Sequence, residues 1–165
     1  MQKSKKVVIL GHFGVGKTSL IRRFVSDQFS DKYKVTIGVH ITKKVIELSN
    51  EDSISMILWD LEGTDTLEQI RDAYLLGTHG VIFVFDISRP STFQHLNRDL
   101  EIVAKKAPQR PLLVIGNKKD LIQEDKVDDL LDSYKISYDF LTSAKTGDTV
   151  EDAFISLATL LNNET

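Results

Sequence analysis

The chain predicts an α/β fold built on a doubly wound, mostly parallel sheet, and three observations predict it. Near-continuous apolar runs recur at Lys6-Val7-Val8-Ile9-Leu10, Val81-Ile82-Phe83-Val84-Phe85 and Leu112-Leu113-Val114-Ile115. Runs of this kind suit strands covered on both faces. Amphipathic helical patterns separate them, and strands alternating with helices argue for parallel crossovers. The 165 residues, 41% apolar and 27% charged, are enough for a single globular domain with a real core.

Taken in order, residues 6–10 form a buried strand and residues 17–26 the helix after it. Residues 39–48 and 53–59 read as neighbouring strands, joined as a hairpin by Ser49-Asn50-Glu51-Asp52. A helix is expected over 66–76, a strand over 81–85, and a helix over about 92–106 whose apolar face is Phe93, Leu96, Leu100, Val103 and Ala104. A strand over 112–115, a helix over 126–134, a strand from Ser137 to Leu141 and a helix over 149–162 complete six strands and five helices. Thr149 followed by Asp152 gives the last helix a capping pattern. In such a sheet, ligands sit at the carboxyl ends of the strands.

The net charge of −3 gives no reason to expect a nucleic-acid or bulk membrane partner. The short Lys3, Lys5, Lys6 cluster reads as a solvated strand start. The absence of cysteine excludes disulfides, thiol catalysis, prenylation and palmitoylation within this chain, and suits the reducing cytoplasm. Gln2 in place of Gly removes N-myristoylation, so no lipid anchor is expected in these residues. There is no signal peptide and no apolar run of transmembrane length.

The most informative stretch is Gly11-His12-Phe13-Gly14-Val15-Gly16-Lys17-Thr18, which fits G-x-x-x-x-G-K-[ST] between a strand and a helix. Glycines let the backbone curl around phosphates, successive N–H groups form an anion nest, and the following helix adds its dipole. Lys17 is placed to reach the outer phosphates, and the Thr18 hydroxyl to ligate Mg²⁺.

Trp59-Asp60-Leu61-Glu62-Gly63 matches D-x-x-G after the third strand. Asp60 can hold Mg²⁺ through water, and the Gly63 N–H can approach a γ-phosphate. Asn117-Lys118-Lys119-Asp120 matches N-K-x-D after the fifth strand. Guanine presents two donors side by side, and the Asp120 carboxylate can accept both, whereas adenine would leave it unpaired. Ser143-Ala144-Lys145 follows the sixth strand; the Ala144 N–H can meet guanine O6 and the Lys145 stem can lie against the base. In Tyr33-Lys34-Val35-Thr36-Ile37-Gly38, the Thr36 hydroxyl can complete a Mg²⁺ shell. Phe29 either covers the base or packs at a helix end, and Tyr33 is a loop aromatic or a ligand contact.

These five motifs, in this order, resemble the Ras superfamily of small GTPases, and are most similar to its Rab branch. Tyr33–Val39, Gly77–Ile82 and the phrase ending at Asp86 carry the Rab likeness. The resemblance implies a P-loop small G domain spanning residues 1–165, with one antiparallel edge strand, binding GTP and GDP with Mg²⁺. It implies that Gly14, Val15, Gly16, Lys17, Thr18 and Ser19 hold the phosphates, with Gly63 and Thr36 at the γ-phosphate. Thr18, Thr36 and Asp60 would form the metal site; Asn117, Lys118, Asp120, Leu121, Ser143, Ala144 and Lys145 would form the base site. Lys17, Thr36, Gly63 and Thr64 would carry catalysis. Switch segments are implied near 29–38 and 60–75, where effectors, exchange factors and GTPase-activating proteins bind a monomer. Ile41, Trp59 and Leu67 would form an apolar docking patch there, unless Trp59 is core.

Three positions depart from the family pattern. Thr64 stands where the family has the Gln that orients the attacking water, which predicts slow intrinsic hydrolysis. Phe13 either crowds the path of an incoming arginine finger or turns outward, and Glu62 points either at phosphate or at solvent. A GTP-binding module with little or no hydrolysis is therefore the alternative reading. A P-loop ATPase or kinase would need a base pocket without Asp120, or a lid insertion that is not visible.

Overall fold

The computed structural model describes residues 2–32, 35–49, 51–61, 63 and 66–164. Tyr33, Glu62 and Thr64 lie outside the described residues. The strands are β1 (Lys3–Gly11), β2 (Val39–Glu47), β3 (Ser53–Leu61), β4 (Gly80–Asp86), β5 (Leu112–Asn117) and β6 (Phe140–Leu141). The helices are α1 (Lys17–Ser26), α2 (Asp72–Leu75), α3 (Leu96–Lys106), α4 (Glu124–Ser133) and α5 (Val150–Asn163). Strand order is β2-β3-β1-β4-β5-β6. Among the described residues only β2 is antiparallel, pairing with β3 from Val39 opposite Leu61 to Glu47 opposite Ser53; the other pairings are parallel.

Alternation within the central strands builds two cores. Val7 and Ile9 of β1, with Ile82 and Val84 of β4, face a cluster that includes Leu20, Phe24, Phe154 and Leu157 from α1 and α5. Val8, Leu10, Val81, Phe83 and Phe85 face the opposite cluster, with Leu96, Val103, Val127 and Leu131 from α3 and α4. All seven residues of β4 are buried, as expected for a strand covered on both sides. Among the described residues, no helix is long and apolar enough to cross a membrane.

Several element boundaries differ from expectation. The 66–76 helix breaks into a 3₁₀ turn, Leu67–Gln69, and the four-residue α2. Ile70 and Arg71 between them are extended. Lys106 Nζ donates to Ile70 O at 3.0 Å, so that carbonyl is satisfied from α3 rather than from a helical turn. Helix α3 starts at Leu96 because Pro90–Thr92 forms a 3₁₀ turn first. The sixth strand shortens to two residues.

The Thr149 capping pattern is also corrected. Thr149 sits at φ 64 and makes no side-chain cap. Its hydroxyl instead donates to Asp148 Oδ1 at 3.0 Å.

Candidate functional site

Four of the five motifs follow the carboxyl ends of β1, β3, β5 and β6, and Thr36 of the fifth lies in the segment between α1 and the antiparallel β2, so the fold gathers them. One cleft of about 310 Å³ is lined by Gly14, Gly16, Lys17, Thr18 and Ser19 at one end and by Asn117, Lys118, Asp120, Leu121, Ala144 and Lys145 at the other. Phe13, Phe29, Thr36 and Gly63 also line it. Val15, expected at the phosphates, does not line the cleft; its side chain is fully buried in the core.

At the phosphate end, Gly16 has φ 102, and an added Cβ would lie 2.3 Å from Asn117 Nδ2. Only glycine fits that turn. Lys17 is 6% exposed. Its Nζ donates to Gly11 O at 3.1 Å and His12 O at 3.2 Å, which leaves one of its three donors. Burial lowers the Lys17 ammonium to about 8, against the charge of Asp60, with Arg89 adding to the lowering. An anion in the cleft would restore the charged form.

The Thr18, Thr36 and Asp60 side chains meet as the motifs required. Thr18 donates to Asp60 Oδ2. The Thr18 hydroxyl is also 2.7 Å from that of Thr36. A threonine has one hydroxyl proton, so Thr36 is the donor to Thr18. Asp60 is 3% exposed, and its second oxygen, Oδ1, has no hydrogen-bond partner. Burial pushes the Asp60 carboxyl up, despite the Thr18 hydrogen bond and the charges of Lys17 and His40. An orphaned buried carboxylate oxygen beside two hydroxyls fits a hard divalent cation. Among the described residues, no three His, Cys, Asp or Glu gather into a metal cluster. The donor set therefore suits Mg²⁺, which keeps waters and phosphate oxygens in its shell.

At the base end, Asn117 works as a structural tie. Its Nδ2 donates to Val15 O at 3.0 Å, and its Oδ1 accepts from Thr142 Oγ1 at 3.1 Å and the Ala144 amide at 3.2 Å. The Ala144 N–H, expected to meet a base carbonyl, is thus directed to Asn117 in this structure. Lys118, expected at the base, sends its Nζ to Gly14 O at 2.8 Å and Asp86 Oδ2 at 2.9 Å. Its ammonium holds the phosphate loop, and only its stem is left to face a base. Asp120 accepts at Oδ1 from Ser143 Oγ at 2.7 Å. Ser143 is buried and orients the carboxylate rather than lining the cleft.

Phe29 both lines the cleft and packs against the α1/α5 core, so its two readings coexist. Phe13 is 45% exposed at the cleft wall. Of the expected docking patch, Ile41 is 49% exposed while Leu67 is 2% exposed. Leu67 is core, packed with the α3 face, and does not belong to a docking patch. Trp59 is half-buried, with Lys6 Nζ 3.8 Å from its ring centroid.

Three residues that brace the cleft were given no role by the sequence. Arg23 clamps the loop after β6, Asp86 anchors Lys118 and Arg89, and Arg89 holds Phe13 O at 2.7 Å. A charged residue closing an otherwise apolar strand was the one available signal, and it points to Asp86. The arginines carry no local pattern.

A nest opening α1, a purine-side Asn-Lys-x-Asp segment and a sheet of this order define a P-loop nucleotide-binding protein. The Ras family model matches residues 6–163. The chain belongs to the Ras family, whose members are GTP-binding molecular switches. It is 35% identical over 164 residues to Ras-related protein Rab-1A of Dictyostelium discoideum, covering 96% of this chain and 80% of that relative. Rab-1C of the same organism is 34% identical over 170 residues, covering 97% and 82%. Rab-1 of Theileria annulata is 32% identical over 166 residues, covering 96% and 74%. Ras and Rab GTPases in general bind GTP or GDP with Mg²⁺ and work with effectors, exchange factors and activating proteins.

Proposed function

We propose that this chain is a single G domain over residues 1–165, a monomeric cytoplasmic switch that binds GTP and GDP with Mg²⁺ and hydrolyses GTP slowly without a partner. The observation that carries it is the shared cleft, in which the phosphate nest and the Asp120 carboxylate line opposite ends of one cavity. Gly14 to Thr18 hold the phosphates, and Asp120 selects guanine. Thr18, Thr36 and Asp60 hold Mg²⁺, which neutralises phosphate charge when bound.

Thr64 replaces the amide that would orient water, so Lys17, Thr36 and Gly63 position the γ-phosphate while the attacking water lacks its usual guide. An activating protein that supplies an amide restores the rate. The test is single-turnover hydrolysis of GTP. We expect slow decay for the natural chain and a faster rate for Thr64→Gln, whose amide can orient the water. Rapid unassisted hydrolysis by the natural chain sinks the reading of Thr64, and displacement of GTP by ATP sinks that of Asp120.

The second reading, a GTP-binding module with little turnover, is favoured by Phe13. Its backbone lies against Gly63, and an added Cβ on Gly63 would lie 2.6 Å from Phe13 Cα. Phe13 also lines the cleft and is 45% exposed, and on this reading its ring stands beside the route of a partner's arginine. No turnover with any activator, from protein purified with GTP bound, would favour it.

A further inference from the structure

Arg89 has no role in the motifs, yet it is the side chain through which the loop before α3 grips the phosphate loop. Its Nη2 donates to Phe13 O at 2.7 Å and its Nε to Asp86 Oδ2 at 3.0 Å. The anchor is rigid. Asp86 is fully buried and also accepts from the Ser88 amide at 2.9 Å and the Ser88 hydroxyl at 2.6 Å. Thr92 Oγ1 accepts the Asp86 amide and donates back within the same turn, and the Arg89 amide donates to Asp86 O at 3.0 Å. Asp86 holds Lys118 as well, and Lys118 reaches Gly14 O. One carboxylate therefore fixes two successive carbonyls of the loop, Phe13 through Arg89 and Gly14 through Lys118. A second tie from α3 runs beside them, with His12 Nε2 3.0 Å from Asp99 Oδ2.

Phe13 marks a particular end of the nest. Its backbone lies against Gly63, and Lys17 Nζ would lie 3.1 Å from a Cβ at Gly63. On the proposed function, that is where the outer end of a triphosphate would lie, while residues 14–18 would wrap the inner phosphates. We infer that Arg89 is a positioning residue for the γ-phosphate, holding the Phe13 arm of the loop open to a third phosphate from within the chain. The inference deepens the proposed function and rests on it.

The test is titration of the chain with Mg²⁺ plus GDP, and with Mg²⁺ plus a non-hydrolysable GTP analogue. For Arg89→Ala we expect about a tenfold loss for the GTP analogue, the scale of one charge-assisted hydrogen bond, and less than about a twofold change for GDP. Arg89→Lys should recover little, because an ammonium lacks the planar fork that spans Asp86 and Phe13 O together. Single-turnover hydrolysis should slow in parallel. Equal losses for both nucleotides would reduce Arg89 to a structural brace and overturn the inference, as would an unchanged ratio. If Arg89→Ala does not fold, Arg89→Gln, which keeps two of the three methylenes and one amide donor group, decides by the same ratio. Failure of the natural chain to bind either nucleotide would instead remove the function on which the inference rests.

Discussion

Arg23 reaches from α1 across to the loop that follows β6, with Nε 2.9 Å from Ala144 O and Nη2 2.6 Å from Lys145 O. Its Nη1 also pairs with Asp27 at 3.0 Å. The guanidinium thus holds the two residues expected over a base from outside the cleft. Removing it frees that loop without touching the phosphate nest. Arg23→Ala should therefore speed GDP release by about tenfold, the range of a charged hydrogen bond, with little change in hydrolysis of bound GTP. Dissociation of a fluorescent GDP after a chase of unlabelled nucleotide measures it; an unchanged rate would deny Arg23 this role. Lys17, Thr18 and Asp120 were legible in the sequence because each sits in a short motif whose local spacing marks it. Arg23 was not, because the carbonyls it holds, those of Ala144 and Lys145, lie more than a hundred residues away.

The elements were legible in kind but less so in extent. Strands β1, β4 and β5 announced themselves as apolar runs because both of their faces are covered. The hairpin of β2 and β3 followed from its turn. The segment 66–76 misled because its apolar spacing suits a helix, while Lys106 captures Ile70 O and also pairs with Asp72 at 3.1 Å. Thr149 misled because its left-handed backbone turns the hydroxyl away from the helix end. Packing between α1 and α5 is firmer ground. Phe24 and Phe154 stack with centroids 4.3 Å apart and planes 7° apart. Phe154 is 1% exposed, so Phe154→Ala should cost about 3–5 kcal/mol. A thermal melt reads this as a fall in Tm; a loss under about 1 kcal/mol would mean that the two helices repack.

At the scale of the whole molecule, Asp86 joins the sheet to the nucleotide cleft, and it titrates. Burial alone would raise its carboxyl, but hydrogen bonds from the Ser88 hydroxyl, Lys118 and the Ser88 amide hold it below the usual carboxylate range. A carboxyl depressed in the folded state stabilises the fold above its unfolded pKa of about 4. That contribution is lost as pH falls through the folded value. Tm should therefore hold from pH 7 to about 5 and fall below about 4. Asp86→Asn should lower it at neutral pH, costing about 1–3 kcal/mol, and flatten part of the acid limb. Melts of both chains from pH 7 to 3 check this; identical acid limbs would place the lost charge elsewhere.

The sequence by itself determined the class of fold, the order of the motifs and the residue types that a triphosphate, a divalent ion and guanine require. These are local demands, met by glycines, a Lys-Thr pair and a carboxylate within a few residues of a strand end. Only the tertiary structure decided how those loops are held. Asn117 ties Val15 to Ala144, Arg89 reaches Phe13 across 76 positions, and Arg23 reaches Ala144 across 121. A hydrogen bond depends on where two groups meet in space, and the crossovers of a parallel sheet bring together charges that no spacing along the chain connects.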